Sequence, residues 1–579
     1  MYILFTTAKS ASGIFAIAVL LYTIVLAFIC PNLKKQKKTA AAVILCVLPV
    51  LAALVNTVIF GTLAFFKFFY LYVLMLIPLI NLLPGKKKFP VFLKSFVSSL
   101  TAIIVCFLFL VDFVGASVHN YSRMSYTQSF KKMLDTMKKE YCLNNWKKID
   151  YDVLLKEYLP KVEEAERNND ESAYAAVISE VTYRFFDFHV YPELKGVIDE
   201  NVMNINMGND YGLSMVKLDD GKVIAVLVEP EKGFAFEKPC DLNKFGIHDG
   251  TQIIAWDGQE INEAISKTEC ISYMMQFSVK ENEDFYRPAF LAGKGGESVD
   301  VTFIDDSGNE KHVELKKLGE YSRRLPYFFM CALNLSNREP NFSTRMIDDK
   351  CGYLLVRSEH YDSFTDNVAV LKKGYYPELT EFYAKKIQEL KDQGMKYLVI
   401  DIRSNMGGYD NVAGALVSLF TDEKKHMFSF GYEDEKGYHI TENHYIYPDG
   451  RFKDLPVVVL TNARCGSAGD GMAKFLGECD NVTLMGLTAS AGVNQNDGGC
   501  IYLTKNITVN YPVCLTLSME NVPLIDTDHT RENRIPLDVK IPMTKEFAFR
   551  LFAFESTDTD AEIEYAVKYL KTVKRGASK

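Results

Sequence analysis

The chain has no excess of positive charge. Its 579 residues carry a net charge of −8, and a nucleic-acid partner would require a basic face that such a balance does not supply. It also lacks any C-x-x-C pair, which excludes a zinc ribbon or a thioredoxin-type redox motif and leaves no metal or cofactor implied. Nine of the twelve cysteines (Cys142, Cys240, Cys270, Cys331, Cys351, Cys465, Cys479, Cys500 and Cys514) follow residue 115. An odd number cannot pair completely within the chain, so most read as small buried apolar residues. No G-x-x-x-x-G-K-[ST] loop occurs, which removes the usual phosphate-binding signal. No lysine occurs between Lys474 and Lys505.

What the chain does have is uneven. Residues 13–30, 40–83 and 96–114 are almost uncharged. The middle block is about twice the ~20 residues needed to cross a bilayer, so it divides near Gly61 into two helices. Lysine clusters at Lys34, Lys35, Lys37, Lys38 and at Lys86, Lys87, Lys88 separate the apolar blocks. Hydropathy therefore predicts four transmembrane helices within 1–116. The positive-inside rule puts both lysine loops in the cytoplasm, which gives a multi-pass cell-membrane protein in contact with the lipid bilayer, its large domain extracytoplasmic.

Beyond the apolar region, helical spacing predicts an N-terminal subdomain over 117–200, including a helix at 171–186 that runs into Asp187-Phe188-His189. Residues 205–318 alternate short strands with turns: a strand at 223–228, a Gly-marked turn at 245–250, a strand at 251–256, the turn Asp257-Gly258, and strands at 299–304 and 312–315. After residue 350 strands and helices alternate, which implies a mainly parallel α/β core. Strands are expected at 352–356, 397–402 and 456–460, with helices at 378–393, 411–420 and 471–476. Two turns in this core carry chemistry. Asp401-Ile402-Arg403-Ser404-Asn405-Met406-Gly407-Gly408 follows a strand and opens a helix, where paired glycines let backbone amides approach a developing negative charge. Ser467 stands between small residues at a strand-to-helix turn, which suits an exposed nucleophile and equally a helix N-cap.

Taken together these segments resemble the family of C-terminal processing and tricorn-like serine peptidases over about residues 120–545. "YLVIDIRSNMGG", "LTNARCGSAGD", "FFDFHVY" and "RIPLDVKI" are similar to four of its motifs, and "FGIHDGTQIIAWDGQEI" resembles a PDZ stretch of the circularly permuted bacterial kind. The resemblance implies a helical subdomain, a PDZ-like domain at 201–320, a ClpP/crotonase-like α/β catalytic core at 321–545 and a helical tail at 546–579. It implies Ser467 as nucleophile, oxyanion amides from Gly407 or Gly408 and Ala468, and a carboxylate-binding loop at Tyr211, Gly212, Leu213 and Ser214. Where one branch of the family has a catalytic lysine, this sequence has Ala491. His189 fits the histidine of the other branch, with Glu532, or less well Glu520, to orient it. Asp470 stands where the family usually has glutamate. The function implied is peptide-bond hydrolysis of protein or peptide substrates. The alternative is a peptide-binding membrane scaffold that has lost activity.

Overall fold

The computed structural model describes residues 118–228, 242–319, 321–335, 340–360, 376–526, 535–552 and 560–572. Among these, no helix is long and apolar enough to cross a membrane. This corrects the expected fold class: the described residues form an α/β fold with no four-helix membrane region among them. The blocks 13–30, 40–83 and 96–114, on which the four spans and the multi-pass, extracytoplasmic localisation rested, lie outside the described residues, and neither expectation is carried forward. By its contacts the chain divides into Met1–Val118 and His119–Lys579; the elements that follow belong to the second unit.

Its central sheet runs in the order Val539–Lys540, Val482–Gly486, Val457–Leu460, Tyr397–Asp401, Cys351–Val356 and Phe342–Met346. All neighbours are parallel except the last, which pairs antiparallel with Cys351–Val356. The near-continuous apolar runs of the inner strands follow from burial on both faces. Alternate residues of a strand point to opposite sides. Leu354, Val356, Leu398, Ile400, Val457 and Val459 therefore pack under the helices Tyr376–Asp392, Asp410–Ser418 and Ala468–Gly477. Tyr353, Leu355, Val399, Val458 and Leu460 face the other way, onto the helices Arg324–Ala332, Lys545–Phe552 and Ala561–Thr572.

The middle of the chain forms an antiparallel sheet in the order Ser214–Lys217, Val223–Val226, Gln252–Trp256, Ser298–Ile304 and Glu310–Lys316, closely matching the expected strands. The helix Lys280–Leu291 packs on its edge strand Ser214–Lys217. Through Tyr286, Ala289 and Phe290 this helix also joins the core beneath the central sheet. That core crosses the expected boundaries at 320 and 545, so the segments share packing. A third sheet carries Asn496–Tyr502, Ile507–Leu517, Lys425–Asp434 and Gly437–Ile446, with Tyr191–Leu194 paired to Ile507–Leu517. Its apolar side packs on the helices Tyr126–Glu140, Tyr151–Arg167 and Glu171–Tyr183.

Candidate active site

The Val457–Leu460 strand leaves the sheet through Thr461 and reaches Ser467, the residue before the helix Ala468–Gly477. Ser467 has φ 57° and ψ −128°, and its side chain makes no capping bond. A helix cap would have an extended backbone and an engaged hydroxyl. A positive φ on a residue with a Cβ costs on the order of 1–3 kcal/mol and persists only where the surroundings enforce it. Here the Ser467 N–H donates to Val493 O at 2.9 Å, and its carbonyl accepts from Gly471 N–H at 3.1 Å and Asn494 Nδ2 at 2.7 Å. The residue stays half-buried while its neighbours Gly466 and Ala468 are buried.

Against this turn lies the loop after Tyr397–Asp401. Gly407 has φ 91°, and a Cβ there would fall 2.6 Å from Ser467 Cβ. Only glycine allows that approach. The Gly407 N–H donates to Asn405 Oδ1 at 2.8 Å, so that amide is already engaged. Gly408 is exposed and bridges Glu359 through the Gly407 carbonyl and the Tyr409 amide, a pairing in which its own N–H takes no part. The Ala468 N–H belongs to the first helical turn, whose amides have no acceptor within the helix.

Asp187-Phe188-His189 is brought to the same place by the strand Tyr191–Leu194 and its pairing with Ile507–Leu517. The Phe188 ring packs with Ala491 and Val493 and comes within 3.2 Å of where a Cβ on Gly466 would be. The histidine turn and the serine turn are thus adjacent, although among the described residues no hydrogen bond joins His189 to Ser467. His189 is 3 % exposed, and its Nδ1 lies 3.8 Å from Asp187 Oδ1 with no hydrogen-bond partner. Asp187 is held by the Tyr141 hydroxyl at 2.6 Å and by the His189 backbone N–H at 2.9 Å.

A second buried carboxylate, Asp526, escaped the sequence reading. Its Oδ2 accepts from Gln495 Nε2 at 2.7 Å, while Oδ1 is buried without a partner. Burial pushes its pKa up to about 6, against the opposing pull of Lys147; Asp187 raises it further, while Gln495 and His189 lower it. Lys147 is itself buried and donates to Phe186 O at 3.0 Å. Asp526 follows a strand end with no motif around it, and only the return of Ile507–Leu517 past Asn494 and Gln495 brings it here. Glu532 lies outside the described residues. Glu520 is exposed in the turn after Leu517, with its N–H on Ser518 Oγ and its charge near Lys474 and His426.

Three other sequence candidates have structural surroundings. Ala491, buried beside Gly466, donates its N–H to Cys465 O at 2.7 Å. Asp470 accepts from Val493 N–H at 2.8 Å and ties the serine helix to the segment that follows Ala491. Arg403 is buried between Asp401, Asp560 and Glu562, which latches the helix Ala561–Thr572 under the sheet. Breaking one member of such a buried cluster costs on the order of 3–5 kcal/mol.

The Tyr211–Ser214 loop is buried throughout. Tyr211 donates its hydroxyl to Gly296 O at 2.6 Å, and the Gly212 N–H donates to Asp210 Oδ1 at 2.9 Å. Asp210 is in turn paired with buried Arg324. Among the described residues no group of three or more histidine, cysteine or acidic side chains gathers as a metal site.

A strained serine facing a glycine turn is an arrangement that can serve acyl transfer. Residues 360–511, which include Gly408, Ser467 and Ala491, match the model of Peptidase family S41. That segment is similar to Peptidase family S41, a likeness that supports a serine peptidase. No curated protein matches the chain. Similar solved structures include mature CPAF complexed with lactacystin, with 15% identity and a TM-score of 0.47 over 77% of this chain and 97% of that one. The photosystem II D1 C-terminal processing protease shows 16% identity and a TM-score of 0.30 over 75% and 98% of the two chains. A putative S41 protease from Bacteroides fragilis shows 14% identity and a TM-score of 0.31 over 76% and 98%.

Proposed function

We propose that the chain hydrolyses peptide bonds through an acyl-enzyme on Ser467, with His189 as general base. As Ser467 Oγ attacks the substrate carbonyl carbon, its proton passes to the imidazole. The carbonyl oxygen becomes an oxyanion that accepts from the Gly408 and Ala468 N–H groups. The imidazolium then protonates the leaving amine as the C–N bond breaks, and water releases the acyl group by the same steps. Asp526 and Asp187 take the role expected of Glu532, stabilising the imidazolium and fixing its orientation. The observation that carries this reading is the strained, half-buried Ser467 at a helix N-terminus, with Gly407 packed on its Cβ.

The sheet from Ser214–Lys217 to Glu310–Lys316 acts in this reading as a PDZ-like module. A substrate segment would add along Ser214–Lys217, beside the helix Lys280–Leu291. The buried Tyr211–Ser214 loop, with its Gly212 N–H held by Asp210, would fix that edge in place rather than take a peptide carboxylate.

The test is hydrolysis of an unfolded protein substrate by purified wild type and Ser467→Ala. Loss of turnover by about 10⁴-fold or more, with the variant folded, is the expected result. Turnover that survives the substitution contradicts the assignment.

A further inference from the structure

Glu359 lies three residues past the strand Cys351–Val356 and has no part in the hydrolytic steps above. Its backbone clasps the oxyanion turn: its N–H donates to Gly407 O at 3.1 Å, and its carbonyl accepts from Tyr409 N–H at 3.3 Å. A Cβ on Gly408 would fall 2.6 Å from the Glu359 carbonyl carbon, so the two segments are in tight contact. The Glu359 side chain is fully buried. One oxygen, Oε1, accepts from Asn405 Nδ2 at 2.9 Å, and the other is buried without a hydrogen-bond partner.

Asn405 is the hub of this region. Its Nδ2 also donates to Val356 O at 3.0 Å, its Oδ1 accepts from Gly407 N–H at 2.8 Å, and its carbonyl accepts from Gly466 N–H at 2.9 Å. A single amide residue thus fastens the glycine turn on one side and the residue before Ser467 on the other. Leaving a carboxyl oxygen buried and unpartnered is unfavourable. A leucine or methionine would fill the same space without that cost but could not hold Asn405.

We propose that Glu359 is the positioning residue of the Gly407–Gly408 turn, its carboxyl anchoring Asn405 so that the turn stays closed on Ser467. This rests on reading that turn as the oxyanion site. Burial, and after it the negative charge of Asp410, push the Glu359 pKa up to about 8, while the Asn405 bond pulls it down. The titratable groups that face it are Asp410 at the start of Asp410–Ser418, Tyr383 from Tyr376–Asp392 and Cys465 from the serine turn. These three supply no positive charge. The carboxyl is therefore neutral at neutral pH, and ionisation places an uncompensated charge in a buried site. The turn relieves that charge by opening to solvent, which costs oxyanion stabilisation.

The experiment compares wild type, Glu359→Gln and Glu359→Ala for hydrolysis of a chromogenic peptide, from mildly acidic to strongly alkaline pH. Wild-type kcat is expected to fall as pH rises through about 8. Glu359→Gln, which keeps a neutral acceptor for Asn405, is expected to lack that fall. Glu359→Ala is expected to lose about 10-fold or more in kcat at every pH, with KM within about 2-fold of wild type. A Gln variant with the same alkaline fall as wild type overturns the inference, and that comparison stands alone if the Ala variant does not fold. If Ser467→Ala retains turnover, the site reading itself fails. Wild-type behaviour of both Glu359 variants in a Ser467-dependent enzyme overturns only the role of Glu359.

Discussion

Two glycine-bearing loops, 401–409 with its partner Ser467 and 210–214 at the head of the antiparallel sheet that starts with Ser214–Lys217, are built from similar parts and end in different states. Each has a polar side chain that accepts from a glycine N–H: Asn405 from Gly407, and Asp210 from Gly212. Each adjoins a buried arginine, Arg403 in one and Arg324 in the other. In the first loop the glycine after the engaged one is exposed and a strained serine stands across from it. In the second, every residue from Tyr211 to Ser214 is buried and the Tyr211 hydroxyl is tied down. The same local chemistry can either hold backbone amides ready for a ligand or lock a sheet to its neighbours. What separates the outcomes is which amide the anchoring side chain takes and whether the next one meets solvent.

That contrast can be tested on both sides. On the catalytic side, His189→Ala is expected to reduce kcat by on the order of 10³-fold or more, because the nucleophile loses its base. Asp526→Asn should cost about 10²-fold or more and leave KM little changed, since it acts on the imidazole rather than on substrate. Wild-type turnover of His189→Ala would remove the histidine from the mechanism, and wild-type turnover of Asp526→Asn would remove Asp526 from it. On the other side, Asp210→Ala takes away a carboxylate partner of buried Arg324, which should cost on the order of 3 kcal/mol in denaturant unfolding. Its kcat on a short peptide should change by less than about 10-fold. A large kcat loss without destabilisation would place the second loop in catalysis and erase the distinction.

Much of the catalytic domain was legible because its inner strands are buried on both faces. Runs such as Tyr397–Asp401 and Val457–Leu460 have no other use for so many β-branched and aliphatic residues. The strand–turn–helix junctions that carry Ser467 and Gly408 were legible because small residues at such turns are distinctive. The helix Lys280–Leu291 was hidden by its charged first turns and by Pro288, which mask an apolar face that only the core under the catalytic sheet explains. For the same reason the β-module did not read as sharing a core with the hydrolase. Asp526 was missed because local sequence cannot encode its proximity to His189. That proximity arises from two distant pairings, Tyr191–Leu194 with Ile507–Leu517 and Gln495 with Thr516. Glu532 was sought by spacing from the "RIPLD" motif, a one-dimensional proxy for the same three-dimensional relation.

The central claim is that Ser467 is an activated nucleophile, and covalent labelling tests it without knowledge of the substrate. The purified protein would be treated with a fluorophosphonate, digested, and the adduct located by mass spectrometry in wild type, Ser467→Ala and His189→Ala. The account expects one phosphonylated site at Ser467, none in Ser467→Ala, and labelling slowed by on the order of 10²-fold or more in His189→Ala. A folded wild-type protein that takes up no label, or one labelled equally after Ser467→Ala, would contradict it.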